Sequence, residues 1–192
     1  MKRTADKIWL AGCVLLAAGL LMLGGVTVRG KLAARENEMI VQKMEAVMPN
    51  RTTGAVDELR IAEMPVMQLE GADYVALLEI PSYGLRLPVA AQWDKTAVMT
   101  TPCRFYGSAY DGSLVIGGYD RSGYFDFFDR VYNDEVVKIT DLTGCTYTYT
   151  VSRVERSETA DGAVLLEGEW DLTLFVRDAR YLEYILLRCT AK

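Results

Sequence analysis

Residues 102–120, PCRFYGSAYDGSLVIGGYD, and residues 170–189, WDLTLFVRDARYLEYILLRC, decide the fold of this chain. Both stretches contain short apolar runs between glycine, proline or charged residues, which is the pattern of buried strands separated by turns. The runs that we interpret as strands are residues 113–117, 170–175 and 184–189. This half of the chain therefore predicts a β-sheet.

Further strand-like runs precede and separate these stretches. They combine apolar and β-branched residues and lie at residues 74–80, 85–89, 134–140 and 146–154. The tetrapeptides PSYG at 81–84 and DLTG at 141–144 provide turns between neighbouring strands. Short helical turns are expected within 92–99 and 121–131. Seven or eight short strands with turns between them predict a mostly β domain, a closed barrel, over residues 74–192.

An apolar segment precedes this domain. Residues 8–28 contain no charged side chain, and about 20 such residues span a hydrocarbon core of roughly 30 Å. Residues 1–29 therefore predict a signal anchor with one transmembrane helix. A cleaved signal peptide is the alternative, although the run is longer than usual and no small-residue cleavage site follows.

LAGC at 10–13 matches a lipoprotein lipobox, but most of the apolar run follows Cys13, which favours an apolar role for this cysteine.

Flanking charges predict the orientation of the anchor. Lys2, Arg3 and Lys7 precede the span, so the positive-inside rule places the N-terminus in the cytoplasm and the domain outside the cell. Residues 30–192 carry 17 basic and 25 acidic side chains, a net charge of −8. This acidic balance argues against a nucleic-acid partner.

Residues 30–73 connect the anchor to the barrel. Residues 31–48 are rich in good helix formers and predict a juxtamembrane helix. Its apolar stripe is expected to pack on the domain and comprises Leu32, Met39, Ile40, Met44, Val47 and Met48. Residues 51–73 lack periodicity and contain Gly54, Pro65 and Gly71, which is typical of a linker.

The ordered series LEIPSYGLRLPV, PCRFYGSAYDGSLVIGG, KITDLTGCTYTYTV and WDLTLF resembles sortases, the cysteine transpeptidases that attach proteins to Gram-positive cell walls. The likeness is greatest to class B or D-like sortases of clostridial type. It covers residues 74–189 and implies a sortase-type β-barrel. The membrane anchor that precedes the domain also suits a sortase.

The resemblance also implies where the catalytic residues belong, and other residues stand there. The family reads roughly LVIAGHN and WDLTLFTC, so Tyr119 takes the place of the catalytic histidine and Arg177 that of the cysteine. The essential arginine, seven residues after the cysteine, falls at Tyr184; a local shift in the alignment would place it at Arg180 instead. Arg188 matches an arginine before the family's terminal cysteine, which is not the catalytic one. The whole chain contains no histidine.

The cysteines leave three interpretations open. Cys103 and Cys189 lie in stretches, PCR and LLRC, that resemble the family's own PCR and VRC, so a disulfide in the chain would join this pair. Two small buried thiols are the alternative. The third interpretation is that Cys103 is catalytic. The absence of a histidine opposes it, because no imidazole is present to lower the pKa of the thiol.

Three functions are compatible with these residues. The first is a catalytically inactive, membrane-anchored pseudo-sortase that binds a sorting-signal peptide or another envelope protein; the second is an active transpeptidase; the third is a purely structural envelope role. No cofactor and no metal is expected, because histidine is absent and cysteines are scattered.

We expect Arg177 to stack on Tyr119 or Tyr184 and to pair with Asp120 or Asp178. The alternative is that Arg177 extends into water and leaves the cleft open.

Overall fold

The strand-like runs form one closed sheet. The computed structural model describes residues 13–16, 31–49, 63–120, 124–125, 127–178 and 181–192, with the backbone alone for residue 129. Nine strands lie in this part of the chain: β1 Met67–Leu69, β2 Ala72–Ile80, β3 Leu85–Ala90, β4 Cys103–Tyr106, β5 Leu114–Tyr119, β6 Val136–Asp141, β7 Thr146–Ser157, β8 Leu172–Arg177 and β9 Tyr184–Ala191.

Helical segments in the described residues are short, apart from one. Helix α1 covers residues 31–47, residues 13–16 are helical, and α2 covers Gly162–Leu165. Single 3₁₀ turns lie at Pro81–Tyr83, Ala97–Met99 and Phe128–Arg130. The first of these turns ends at Gly84, whose φ of 60° is easily reached only by glycine.

The sheet closes into a barrel of eight strands. The strand order is β1-β2-β3-β4-β5-β8-β9-β7-β6, and β6 pairs back onto β2 between Ala76↔Asp141 and Glu79↔Lys138. The barrel is mixed, because the β3–β4 and β5–β8 pairs are parallel. The predicted closed, mostly β barrel is confirmed. The pair β2–β6 closes the barrel, and the last strand, β9, lies inside the sheet between β8 and β7.

The main core fills the barrel. Side chains such as Leu78, Ile116, Leu174 and Leu187 are almost completely buried there, with a group of aromatic rings that includes Phe125. Burying this apolar surface is the main favourable contribution to folding.

Helix α1 packs on the outside of the barrel against β2. Ile40, Val41 and Met44 are buried against Tyr74 and Leu77. The prediction that the helix packs on the domain is confirmed, but its stripe was partly wrong, because Leu32, Met39 and Val47 are exposed. The buried face instead includes Ala33, Asn37 and Val41.

The predicted linker, 51–73, contains part of the sheet. β1 and the first residues of β2 form a hairpin, and Glu70 and Gly71 at its turn have φ values of 51° and 81°. Positive φ at both central residues is typical of a tight two-residue hairpin turn. Because Met67 and Leu69 alternate with Gln68 over only three residues, the sequence pattern was too short to reveal the strand.

The predicted membrane anchor, residues 8–28, lies outside the described residues except for 13–16. Among the residues that the structure describes, no helix has the length and hydrophobicity that a membrane crossing requires.

Candidate functional site

Three neighbouring strand ends bring together the residues singled out in the sequence. In the parallel β5–β8 pair Tyr119 lies opposite Arg177, and in the antiparallel β8–β9 pair Arg177 lies opposite Tyr184. Adjacent strands are about 4.8 Å apart, so the three residues form a continuous row across the sheet. The row places Arg177, which is exposed, between two half-buried tyrosines.

This row borders a cavity of about 420 Å³. The cavity lies between the ends of β5, β8 and β9, the segment that follows β3, and the segment before α2. Its lining residues are Trp93, Lys95, Val98, Met99, Phe105, Gly118, Tyr119, Ala160, Phe175, Arg177 and Tyr184.

Three aromatic rings form one wall of the cavity. Trp93 stacks on Phe175 with ring centroids 5.4 Å apart, and Phe105 meets both rings edge-on at 5.5 and 5.8 Å. Such offset and edge-to-face pairs are favourable beyond the apolar area they bury. Sequence reasoning missed Trp93 and Phe105, because isolated aromatic residues near turns carry no periodic signal.

The glycine pair of LVIGGY permits this packing. A Cβ on Gly117 would lie 2.4 Å from the Trp93 ring and 2.5 Å from that of Phe175. A Cβ on Gly118 would lie 2.3 Å from the Phe125 ring. Glycine at both positions therefore lets rings approach the two faces of β5. A Gly-Gly pair inside a buried strand is the sequence signal that could have indicated this close approach of rings.

The charged side chains that line the cavity are both basic. Lys95 and Arg177 are exposed, and neither forms an ion pair within the described part of the chain. The predicted stacking of Arg177 is wrong for the described rings: the cation–π pairs found there are Arg130 over Tyr83 and Arg156 over Tyr181. An exposed guanidinium is already solvated and does not require an internal partner. The alternative, an open cleft, is therefore the observed one.

Asp178 has a different cation nearby. Its buried carboxylate lies 3.5 Å from the Arg156 guanidinium, which also covers the ring of Tyr181 at 5.5 Å. Arg180, the alternative position for the family arginine, lies outside the described residues.

Arg188 anchors α2, the short helix that follows the cavity residue Ala160. Its guanidinium is 2% exposed and donates hydrogen bonds to the carbonyls of Val164 and Leu165, to Thr173 and to Glu155. Because a buried guanidinium is stable only when its donors are satisfied, this network fixes α2 against β8 and β9. Arg188 does not line the cavity.

The solved structures that match this architecture include several sortases. Sortase C-3 from Streptococcus pneumoniae matches with a TM-score of 0.56 at 14% identity, over 88% of this chain and 86% of that chain. A Clostridium perfringens sortase D5 transpeptidase gives 0.55 at 19% identity, over 69% and 84%. Sortase A from Corynebacterium diphtheriae gives 0.53 at 17% identity, over 85% and 84%. This chain has the sortase fold. Neither a family model nor a curated protein matches its sequence.

Two cysteines are buried in this sortase fold, and both are free thiols. Cys103 on β4 and Cys189 on β9 are separated by β5 and β8 in the sheet. Three interstrand steps of about 4.8 Å exceed the Cα separation of about 7 Å that a disulfide tolerates. The buried-thiol alternative is therefore the one that the structure shows.

Burial also makes these thiols poor nucleophiles. It raises the pKa of Cys103 to about 11 and that of Cys189 to about 12. A thiol with so high a pKa carries almost no thiolate at neutral pH. Neither cysteine lines the cavity beside Arg177.

Within the described ranges, no three acidic, histidine or cysteine side chains are grouped as metal ligands would be.

Proposed function

We propose that this protein is a pseudo-sortase: a catalytically inactive, sortase-like protein of the cell surface that binds peptide in the cavity beside Arg177. One observation carries the proposal. Tyr119, Arg177 and Tyr184, the positions that the sequence resemblance assigns to the catalytic histidine, cysteine and arginine, form one row at one cavity.

The side chains in this row do not suit the family's reaction. A cysteine transpeptidase needs a thiolate nucleophile, an acid for the leaving amine and a cation for the oxyanion. A phenol and a guanidinium are much poorer nucleophiles and bases than a thiolate and an imidazole, so neither side chain replaces the family's catalytic groups. The chain has no histidine at any position, and Cys103 and Cys189 are buried elsewhere.

The cavity itself supports binding over a purely structural role. A volume of about 420 Å³ falls within the range of roughly 300–1,000 Å³ typical of ligand sites. Its wall of Trp93, Phe105 and Phe175 offers apolar contact area. The apolar segment at residues 8–28 would hold this site outside the membrane, where peptides of cell-wall sorting partners are accessible.

A combined cleavage and binding assay tests the proposal. The full chain in detergent is incubated with fluorogenic LPxTG-like and NPxTx-like peptides, with hydroxylamine as acceptor. We expect saturable binding of at least one apolar peptide and no product above background. A hydroxylamine-dependent product that disappears in Cys103→Ala would show an active transpeptidase, the alternative function.

Restoring the family residues provides the second arm of this assay. Tyr119→His, Arg177→Cys and Tyr184→Arg together are expected to be required for any product, because such groups act as a unit. Each single substitution should give none. The matched control carries Tyr119→His, Arg177→Ala and Tyr184→Arg, which lacks only the thiol. Product formation by a single variant would contradict the assignment of these positions.

A further inference from the structure

The charge of the cavity contrasts with that of the chain. The full sequence has a formal net charge of −5, yet the cavity's charged lining residues are Lys95 and Arg177. No aspartate or glutamate belongs to the described residues that line it. A concave site with cations alone attracts anions and raises their local concentration.

The two cations are available to a ligand. Neither Lys95 nor Arg177 is ion-paired with a carboxylate in the described ranges, and both are exposed. A guanidinium presents a planar pair of N–H donors that matches the two oxygens of a carboxylate. A ligand carboxylate could therefore bind Lys95 and Arg177 without breaking an ion pair that either residue forms within the protein.

An apolar surface lies in the same cavity. Trp93, Phe105 and Phe175 form its aromatic wall, and the half-buried Tyr119 and Tyr184 flank Arg177. A ligand that satisfies both parts must carry a large apolar group close to an anionic group. Metabolite-like anions without an apolar part would leave the wall uncovered.

The volume of the cavity favours the terminal residue of a peptide ligand over an internal residue. About 420 Å³ is the volume of a small-molecule site, which corresponds to one or two residues rather than an extended segment. At the C-terminus of a peptide the carboxylate and the last side chain belong to the same residue. An internal acidic residue instead needs space for chain on both sides.

We infer that the cavity binds the C-terminal residue of a peptide, with its α-carboxylate at Arg177 and Lys95 and a large apolar side chain on the aromatic wall. The inference rests on the proposed function, because it names the kind of peptide that this same cavity takes. It adds a requirement that the proposed function lacks, a free terminal carboxylate.

Matched peptides test this requirement on the full chain in detergent. Fluorescently labelled Ala-Ala-Leu-Phe with a free C-terminus is compared with its C-terminal amide and with Ala-Ala-Leu-Phe-Ala-Ala-amide. We expect the free acid to bind at least about 10-fold more tightly than either, a difference of about 1.4 kcal/mol. The preference should weaken as salt is raised, since both cations are exposed.

Variants distinguish these cations from charge elsewhere. Arg177→Gln and Lys95→Gln should each reduce the ratio of free-acid to amide affinity, and the double variant should bring that ratio close to one. Lys192→Gln is the matched control, because Lys192 follows β9 at the end opposite Tyr184. Both lining residues are exposed, so thermal unfolding should remain unchanged in all variants.

The outcomes separate the two proposals. Equal binding of acid and amide, or a preference that survives the double variant, would overturn the carboxylate inference and leave the peptide-binding function standing. Cleavage of sorting-signal peptides would overturn the pseudo-sortase function without affecting the carboxylate preference. If none of these peptides binds but a sorting-signal peptide does, the carboxylate inference alone is wrong. If no peptide of either set binds, both proposals are wrong.

Discussion

Two adjacent glycines on β5 let large rings approach both faces of one strand. Gly117 faces Trp93 and Phe175 at the cavity, while Gly118 faces Phe125 in the barrel core. A methyl group at either position would overlap a ring that neighbouring rings hold in place. At the residue scale, the shape of the cavity therefore depends on glycine, with no side chain, at two neighbouring positions of β5.

Gly118→Ala is expected to lower the free energy of unfolding by about 1–3 kcal/mol, the usual cost of overpacking a core. The reason is the distance of 2.3 Å from the new Cβ to the Phe125 ring. The matched control is Gly162→Ala in α2, where a Cβ meets nothing within 4 Å. That variant should be neutral or slightly stabilising. Chemical denaturation of both variants measures the difference; equal stabilities would show that Phe125 moves freely.

Sequence reasoning found part of the site at this scale. Tyr119, Arg177 and Tyr184 were located because each stands in a recognisable strand motif, and the strand register then makes them neighbours. Lys95 was not located because it lies in a loop that folds back over the sheet, and Phe105 was not located because β4 is too short to show a period. The sequence also could not predict that Arg177 extends toward water, because this orientation depends on whether hydrogen-bonding partners surround the guanidinium.

At the scale of elements, α1 is connected to one wall of the cavity through Asn37. This side chain is 3% exposed; its amide donates to the carbonyl of Thr100 at 2.7 Å and its carbonyl accepts from the Thr101 hydroxyl at 3.0 Å. Thr100 directly follows the 3₁₀ turn whose Val98 and Met99 line the cavity. Helix α1 thus holds the segment that forms the edge of the site.

Asn37→Ala is expected to reduce the free energy of unfolding by about 1 kcal/mol and to weaken peptide binding. Two hydrogen bonds are lost, each worth roughly 0.5–1.5 kcal/mol, while alanine recovers part of this through its helix propensity. Met39→Ala on the exposed face of the same helix is the control and should change stability by less than about 0.5 kcal/mol. An Asn37→Ala protein that is destabilised yet binds peptide normally would disprove the link to the cavity.

The strength of the local pattern decides which elements the sequence predicts. Long alternating runs such as β7 were predicted, as were the turns before β3 and after β6. β1 and β4 have three and four residues and offered too few positions for a period to show. The helix was predicted but its buried face was not, because Asn37 and Ala33 face the domain while Met39 faces solvent.

At the scale of the whole molecule, the two buried thiols report on global opening. Cys103 lies beneath the segment after β3 and Cys189 inside the barrel, and both are 0% exposed. Reaction with a thiol reagent therefore requires a large part of the barrel to open. Burial also keeps both thiols protonated at a pH where an exposed cysteine begins to ionise.

In the folded chain, Cys103 and Cys189 should react with iodoacetamide at least about 100-fold more slowly than in the denatured chain. This factor follows from a rise in the pKa of Cys103 from 9.0 to about 11, since each unit is a tenfold loss of thiolate. Between pH 8 and 9 their rate should still rise by up to about tenfold, because below the pKa the thiolate fraction increases tenfold per pH unit. Cys145, half-buried after the β6–β7 turn, is the internal reference. Mass spectrometry of labelled peptides gives each rate; equal rates for all three would show that the barrel opens readily.

The closure of the barrel limits how another protein can recognise it. β6 pairs with residues 76–79 of β2, and β1 pairs with residues 72–74 along the same strand. Since β3 occupies the other side of β2, this strand offers no long run of unpaired main-chain groups to a foreign strand. Strand addition, a common route of peptide capture, is thereby blocked at β2. A partner that contacts the barrel at β2 would then be recognised through side chains, and substitutions at a few positions can change that recognition without altering the sheet.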